Sequence, residues 1–244
     1  MSRLLLLALA PHRAALSLVL ALAFATLAAP SASAWSNGGD HGNGFGTHDW
    51  VLYEANQLAE GEGYFWLRTG AALRATDDPD TQLHDTYHHV YDVWGTTYGD
   101  APDRVQTLFD RVVRQIRDDR PRAASRSFGL LAHYYADICN PTHTDSSGRE
   151  ERMHSRHESA TNTRTDARNE NDSWVDPDEV RVRGGARGPA KRAATWAHQY
   201  YWTLVKTYAA NGWTSTNAAI TRKCLSRAVN DLADLIVSAR EAAR

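Results

Sequence analysis

Cysteine is scarce in this chain: of its 244 residues only Cys139 and Cys224 carry a thiol, so at most one internal disulfide can form. Such a bond would join the middle of the chain to its last helix, and two free buried thiols are the other possibility. No stretch alternates apolar and polar residues with a convincing period of two, which argues against a strand-built fold. Internal repeats, heptad arrays and domain linkers are missing too, leaving one domain as the expectation. After residue 34 no run is apolar enough to span a bilayer. An excess of positive charge is also lacking. The formal net charge of −2 argues against holding nucleic acid by bulk electrostatics and leaves Arg181, Arg183 and Arg187 as candidates for a local basic surface.

What long apolar sequence there is lies at the N-terminus. Arg3 supplies positive charge, residues 4–10 and 14–29 are apolar, and Pro11-His12-Arg13 interrupts them. Pro30 and the small-x-small tripeptide Ala32-Ser33-Ala34 stand where a signal-peptide cleavage site belongs. Residues 1–34 are therefore expected to be a signal peptide and residues 35–244 a secreted, extracellular domain with no transmembrane anchor after processing. An uncleaved N-terminal anchor is the competing reading. Removing the leader takes the basic residues from 27 to 25 against 29 acids, and leaves Trp35 with a free amine.

Helical periodicity dominates the rest. Val105, Leu108, Phe109, Val112, Val113 and Ile116 form one apolar stripe, with a helix start at 100–103 around Pro102. Residues 123–139 are more thoroughly apolar and predict a central helix closed by Asn140-Pro141. Thr47 is expected to cap a helix through Val51, Leu52 and Ala55. Residues 189–210 read as one helix, and Ser215 or Thr216 begins the last, through Ala219, Leu225, Val229, Leu232 and Ile236. Polar loops are expected at 76–85 and 163–188, the second of them mobile. The prediction is an all-α, single-domain helical bundle.

On the central helix, His133 and Asp137 stand four residues apart and so project from one face toward a common point. His143 follows the Asn140-Pro141 break, and His154 and Glu158 repeat the four-residue spacing on another short helix. Upstream, Asp77 and His89 flank a loop of acids and histidines. One His-x-x-x-Asp pair is more often a surface ion pair, but two pairs with a histidine between them point to metal. Imidazole and carboxylate without thiolate suit catalytic zinc or a harder divalent ion. His41, His84, His157 and His198 are expected to be exposed or loop residues. The aromatic run from Trp196 to Trp202 is expected to pack in the core, and Phe65 and Trp66 to pack under the helices, although both could meet lipid.

These segments resemble the bacterial zinc-dependent phospholipases C, whose fold is shared with the fungal zinc-dependent single-strand nucleases. The match lies in His133-Tyr134, Asp137, Pro141 and His143, in His154-Ser155 with Glu158, and in Asp77 with His89-Val90-Tyr91-Asp92. It extends to the Trp35–His48 spacing from a processed N-terminal tryptophan. The resemblance implies three zinc ions. Asp77, His89, His133 and Asp137 would hold one, and His143, His154 and Glu158 a second. Trp35 through its amine and carbonyl, His48 and a bridging Asp137 would hold the third. Asp78 competes with Asp77 and His88 with His89, the preference going to Asp77 and His89. Asp77 is the first candidate for a carboxylate that both ligates and assists proton transfer, with Glu158 second.

By the same resemblance the expected activity is a phospholipase C acting as a monomer on phospholipid at a membrane or micelle surface, with no stable nucleic-acid partner. The headgroup pocket of phosphatidylcholine-hydrolysing members is not retained, because the corresponding positions read Gly38, Asp78 and Thr86. Tyr87 or Tyr91 could replace its aromatics by a cation–π contact. A C-terminal β-sandwich of the kind that attaches the clostridial toxins to membranes is not expected, which favours a nutrient-scavenging enzyme. The nucleases of the shared fold carry a Gly-Gly-Asn segment and an Asp in the last ligand pair, where this chain has Ser146-Ser147-Gly148 and Glu158. A nuclease and a non-catalytic zinc-binding protein remain the competing functions.

Overall fold

Prolines mark the first turn of three helices of this chain, at Pro79, Pro102 and Pro121. A computed structural model describes Trp35 and residues 44–95, 98–150, 153–165 and 172–244, with Asp172 through its backbone alone. The expected leader, His41 and Gly38 lie outside the described residues. Helices α1 (Thr47–Gly61), α2 (Thr69–Leu73) and α3 (Asp78–Thr81) are followed by α4 (Ala101–Arg117) and α5 (Pro121–Cys139). Then come α6 (His154–Thr165), α7 (Arg187–His198), α8 (Tyr201–Asn211) and α9 (Ser215–Ala242), with 3-10 turns at Pro141–His143 and Asp172–Trp174. Among the described residues there is no strand, and the architecture is all-α. No described helix is long and apolar enough to cross a membrane.

The hub is α5, buried along nearly its whole length and packed chiefly on α4. Pro102 and Pro121 each sit in the first turn of their helix, where a missing N–H leaves no bond unmade. The α4 stripe buries Val105, Leu108, Phe109, Val112 and Val113 against the hub. Burial stabilises by about 1.5–3 kcal/mol for each such large side chain, so this stripe decides which way α4 faces. Gly129 lets α2 approach α5 closely, since a Cβ there would lie 2.2 Å from the Ala72 carbonyl oxygen. Cys139 on α5 and Cys224 on α9 are free, buried thiols rather than a disulfide, and burial raises both thiol pKa values.

Local details depart from expectation for identifiable reasons. Gly46, not Thr47, is the N-cap of α1, with Asp49 Oδ2 accepting from Gly46 N at 3.2 Å. Thr47 donates its backbone N–H to Asn162 Oδ1 on α6 at 3.0 Å. The expected 189–210 helix is two, turning at Gln199-Tyr200, and this lets Tyr201 bury its ring stacked on His198 at 5.5 Å. Thr214 caps α9, its side chain accepting from Asn217 N at 3.3 Å.

The described parts of the two polar loops are more ordered than their composition implies. The first contains α3. In the second, residues 176–183 are tied along α9. The N–H groups of Asp176, Asp178, Arg181 and Arg183 donate to Ser226 Oγ (2.9 Å), Asn230 Oδ1 (2.8 Å), Asp234 Oδ1 (2.6 Å) and Ser238 Oγ (2.6 Å). Those acceptors recur every four residues and so form one stripe on α9. The arginines here make no open basic surface. Arg181 pairs with Asp178 at 3.5 Å, Arg183 Nε with Asp234 at 2.8 Å, and Arg187 with Asp103 at 2.7 Å.

Candidate metal centre

Helix geometry brings His133 and Asp137 onto one face of α5, with His133 Nε2 3.3 Å from Asp137 Oδ2. His89, from the chain after α3, places its Nδ1 2.7 Å from the same oxygen and 3.2 Å from His133 Nε2. The His133 ring is fixed from behind, its Nδ1–H donating to the Thr76 carbonyl at 2.6 Å. That bond selects the tautomer whose Nε2 lone pair faces Asp137 and His89. Thr76 is itself held by its hydroxyl donating to Asp49 Oδ1 at 2.8 Å.

The Asn140-Pro141 break delivers His143. Pro141 disfavours a helical conformation at Asn140, which is extended at ψ 124°, and Asn140 Oδ1 accepts from Thr142 N at 3.2 Å. The 3-10 turn then folds His143 back, its Nδ1–H donating to the His89 carbonyl at 3.1 Å. His143 Nε2 faces Glu158 Oε1 and His154 Nε2, each at 3.1 Å. His154 Nε2 reaches the same Glu158 oxygen at 2.6 Å. One turn further along α6, Asn162 docks Thr47 and with it the start of α1.

There His48 stacks on His133, ring centroids 3.9 Å apart, with its Nε2 3.5 Å from Asp137 Oδ1. Asp137 thus meets His48 through one oxygen and His89 and His133 through the other. Trp35 is fully buried in the hydrophobic core that also holds Trp50 and Val51.

Three sets of potential ligand atoms, each within 4.8 Å of one another, result: His48–Asp80–His133, His89–His133–Asp137 and His143–His154–Glu158. Both nitrogens of His48, His89 Nε2, Asp137 Oδ1 and Glu158 Oε2 are buried without a hydrogen-bond partner. Each unpaired buried polar atom costs about 1–3 kcal/mol, so their concentration at one place calls for a cation. The donor set of nitrogen and oxygen fits a divalent metal.

The electrostatics agree. Burial alone would raise the Asp137 pKa, but His133, His48, His143 and His89 outweigh it and hold the carboxyl well below its ordinary range. Burial likewise opposes ionisation of Glu158, yet His154 and His143 keep its pKa lowered. Burial pushes His48 well below its usual pKa, so its ring is neutral and able to ligate. His143 rises to about 9 because Asp137 and Glu158 outweigh its burial, so an entering cation displaces a proton there.

No family model and no curated protein sequence matches the chain. Among solved structures, the alpha toxin from Clostridium absonum superposes with a TM-score of 0.62 at 14% identity, over 82% of this chain and 64% of that one. The alpha-toxin of an avian Clostridium perfringens strain gives 0.58 at 13%, with the same coverage. This chain has the fold of the clostridial alpha-toxins. At such low identity the likeness is one of fold, and the chain spans 64% of the length of these toxins.

Asp77 is in none of the three sets. It is the N-cap of α3, its carbonyl accepting from Thr81 N at 3.0 Å. Asp80 faces the histidines, 3.7 Å from both His89 Nε2 and His133 Nε2. Pro79 lies in the first turn of α3, which carries Asp80 toward α5. The Asp-Pro pair in Thr76-Asp77-Asp78-Pro79-Asp80 was the available signal for that turn. Asp78 points elsewhere and pairs with Arg126 at 3.4 Å.

His89 rather than His88 joins the centre, since His88 turns to Asp100 and Asp85. His84 is exposed, and His198 is half-buried with Nδ1 3.0 Å from Thr144 Oγ1. His157 is not exposed as expected: it is fully buried, 2.9 Å from Thr221 Oγ1 and stacked on Trp213, and burial lowers its pKa to about 4. Its place four residues before the buried Thr161 gave a helical-face signal. Lys191 lies over the Tyr91 ring at 5.7 Å, which leaves Tyr87 as the more accessible aromatic near the centre.

Proposed function

We propose that residues 35–244 form a secreted metal-dependent phosphodiester hydrolase, a phospholipase C releasing diacylglycerol and a phosphorylated headgroup. The observation that supports this most directly is the convergence of buried, unpaired imidazole and carboxylate atoms around Asp137. In this reading zinc is the metal, with three ions per chain. His89, His133, Asp137 and Asp80 would hold one, and His143, His154 and Glu158 the second. His48 and Asp137 would hold the third, together with the amine and carbonyl of Trp35 once residues 1–34 are removed. Clustered divalent ions bind phosphate oxygens and lower the pKa of water toward neutrality.

The chain's own groups divide the remaining work. Thr76 and the His89 carbonyl orient the rings of His133 and His143. Asn140 Nδ2, 3.4 Å from Glu158 Oε1, steadies the acid of the second set. Asp80 takes the role expected of Asp77. Its side chain is 23% exposed where those of His133 and Asp137 are 0%, so it stands at the solvent side of the centre. Burial, its largest influence, raises its pKa in the metal-free protein, and a bound cation would hold it ionised as a ligand. Positive charge from metals would offset charge built up at phosphorus, so a mildly acidic chain needs few cations at the centre.

The test is parallel turnover of phosphatidylcholine, phosphatidylethanolamine and single-stranded DNA by the processed, metal-replete protein, with metal content measured on the same sample. Release of phosphorylated headgroup, intact DNA and inactivation by chelator are expected. DNA cleavage without lipid turnover would make the protein a nuclease. Bound metal without either activity would make it a non-catalytic binder, and no stoichiometric metal would end the reading.

A further inference from the structure

Arginine accumulates on one exposed face with little to neutralise it. Arg68 and Arg74 flank α2, and Arg120, Arg122 and Arg126 surround the first turns of α5; all five are exposed. A cavity of about 210 Å³ is lined by Ala71, Arg74, Arg122 and Arg126. The adjoining hollows are lined by Arg68, Arg74 and Arg122 with Pro121, and by Arg120, Arg122 and Arg126. No acid lines any of the three. The one ion pair these arginines make among the described residues is Arg126–Asp78 at 3.4 Å, with Arg126 65% exposed. Five guanidinium groups repel one another, so such a gathering in a chain of net charge −2 points to an anionic partner.

A second feature borders the same face. Phe65 is 66% exposed and lines a neighbouring hollow with Arg68 and Pro121, which also takes in Glu62 and Asp119. Its neighbour Trp66 is anchored, donating Nε1–H to the Ile236 carbonyl at 2.9 Å and packing edge-on against Phe128. The anchored tryptophan holds Phe65 outward. Guanidinium groups that pair with phosphate oxygens, beside a projecting aromatic, match the surface of an anionic bilayer.

We propose that Arg68, Arg74, Arg120, Arg122 and Arg126, with Phe65, dock the protein on anionic phospholipid headgroups at a membrane surface. Arg126 lies two turns before His133 on α5, about 10 Å along the axis, so docking brings lipid near the metal centre. The inference deepens the phospholipase reading by naming the surface on which the enzyme works. Binding itself does not depend on turnover.

The experiment is cosedimentation of the processed, metal-replete protein with vesicles of equal phosphatidylglycerol and phosphatidylcholine, or of phosphatidylcholine alone. Hydrolysis is followed separately on a water-soluble nitrophenyl phosphodiester. Wild type should bind the anionic vesicles at least about tenfold more tightly, with affinity falling as salt rises. The Arg74→Glu/Arg122→Glu variant should lose at least about tenfold in vesicle affinity and keep soluble hydrolysis within about twofold. Phe65→Ala should lose about threefold or more. The charge-matched Arg192→Glu/Arg222→Glu control should bind as wild type does. Equal binding to both vesicle types, or unchanged binding by the Arg74/Arg122 variant, would overturn the proposal. So would a single-stranded oligonucleotide that binds this face while vesicles do not. Absent hydrolysis with intact, Arg-dependent vesicle binding would sink the phospholipase reading and leave the docking surface standing.

Discussion

Two polar stripes at four-residue spacing run along buried helices of this protein, and their fates are opposite. On α9, Ser226, Asn230, Asp234 and Ser238 each accept a backbone N–H from the segment 176–183. On α5 and α6, His133, Asp137, His154 and Glu158 converge with His48, His89 and His143, and several of their atoms find no partner. The α9 stripe is complete within the protein, because neutral and acidic acceptors meet N–H donors. The other gathers lone pairs against lone pairs. Protons or a divalent cation can satisfy such a set, so the same spacing closes on itself in one place and leaves a candidate metal site in the other.

The sharpest break of this contrast is Asp137→Ala. Removing the carboxylate shared by His48, His89 and His133 should lower phosphodiester turnover by at least about a hundredfold, beyond the 10–100-fold typical of residues that merely support metal ligands. Wild-type turnover with full metal content in that variant would refute the shared role. Chelation comes next: stripping metal should destabilise the wild type by about 2.7 kcal/mol when free metal had stood at a hundred times its Kd. A chelator that leaves Tm unchanged would mean that the unpaired atoms are not ligands.

On the other stripe, Asp234→Ala removes the partner of Arg181 N and Arg183 Nε. A loss of about 1–3 kcal/mol is expected, read by urea unfolding, with turnover and metal content unchanged. Altered metal content would show the two stripes to be coupled. Ser226→Ala is the smallest change, about 1 kcal/mol, and should free the 176–183 segment locally as faster amide exchange at Asp176.

Much of the centre was legible in the sequence because helical spacing projects directly into space. His133 with Asp137 and His154 with Glu158 needed only the helix repeat, and Asn140-Pro141 announced the turn that returns His143. The α4 stripe was equally plain. Asp80 was not, because four polar residues around Pro79 differ only in how a single helical turn rotates them. Nor was the strap: residues 176–183 have the composition of a mobile loop, and their order comes from acceptors about fifty residues away on α9. His157 was misread for a related reason. A histidine beside Glu158 looks polar and exposed until Thr221 and Trp213 close over it.

Local periodicity, decided by backbone geometry and the burial of apolar side chains, was enough to determine the helices, their core faces and the His–acid pairs that each helix presents. Which acid faces the histidines, which arginines are neutralised and which remain open, and whether the two thiols join depended on contacts between distant segments. Those outcomes turn on differences of a few ångströms and a few kcal/mol that no window of sequence contains, so the packed tertiary structure alone decided them.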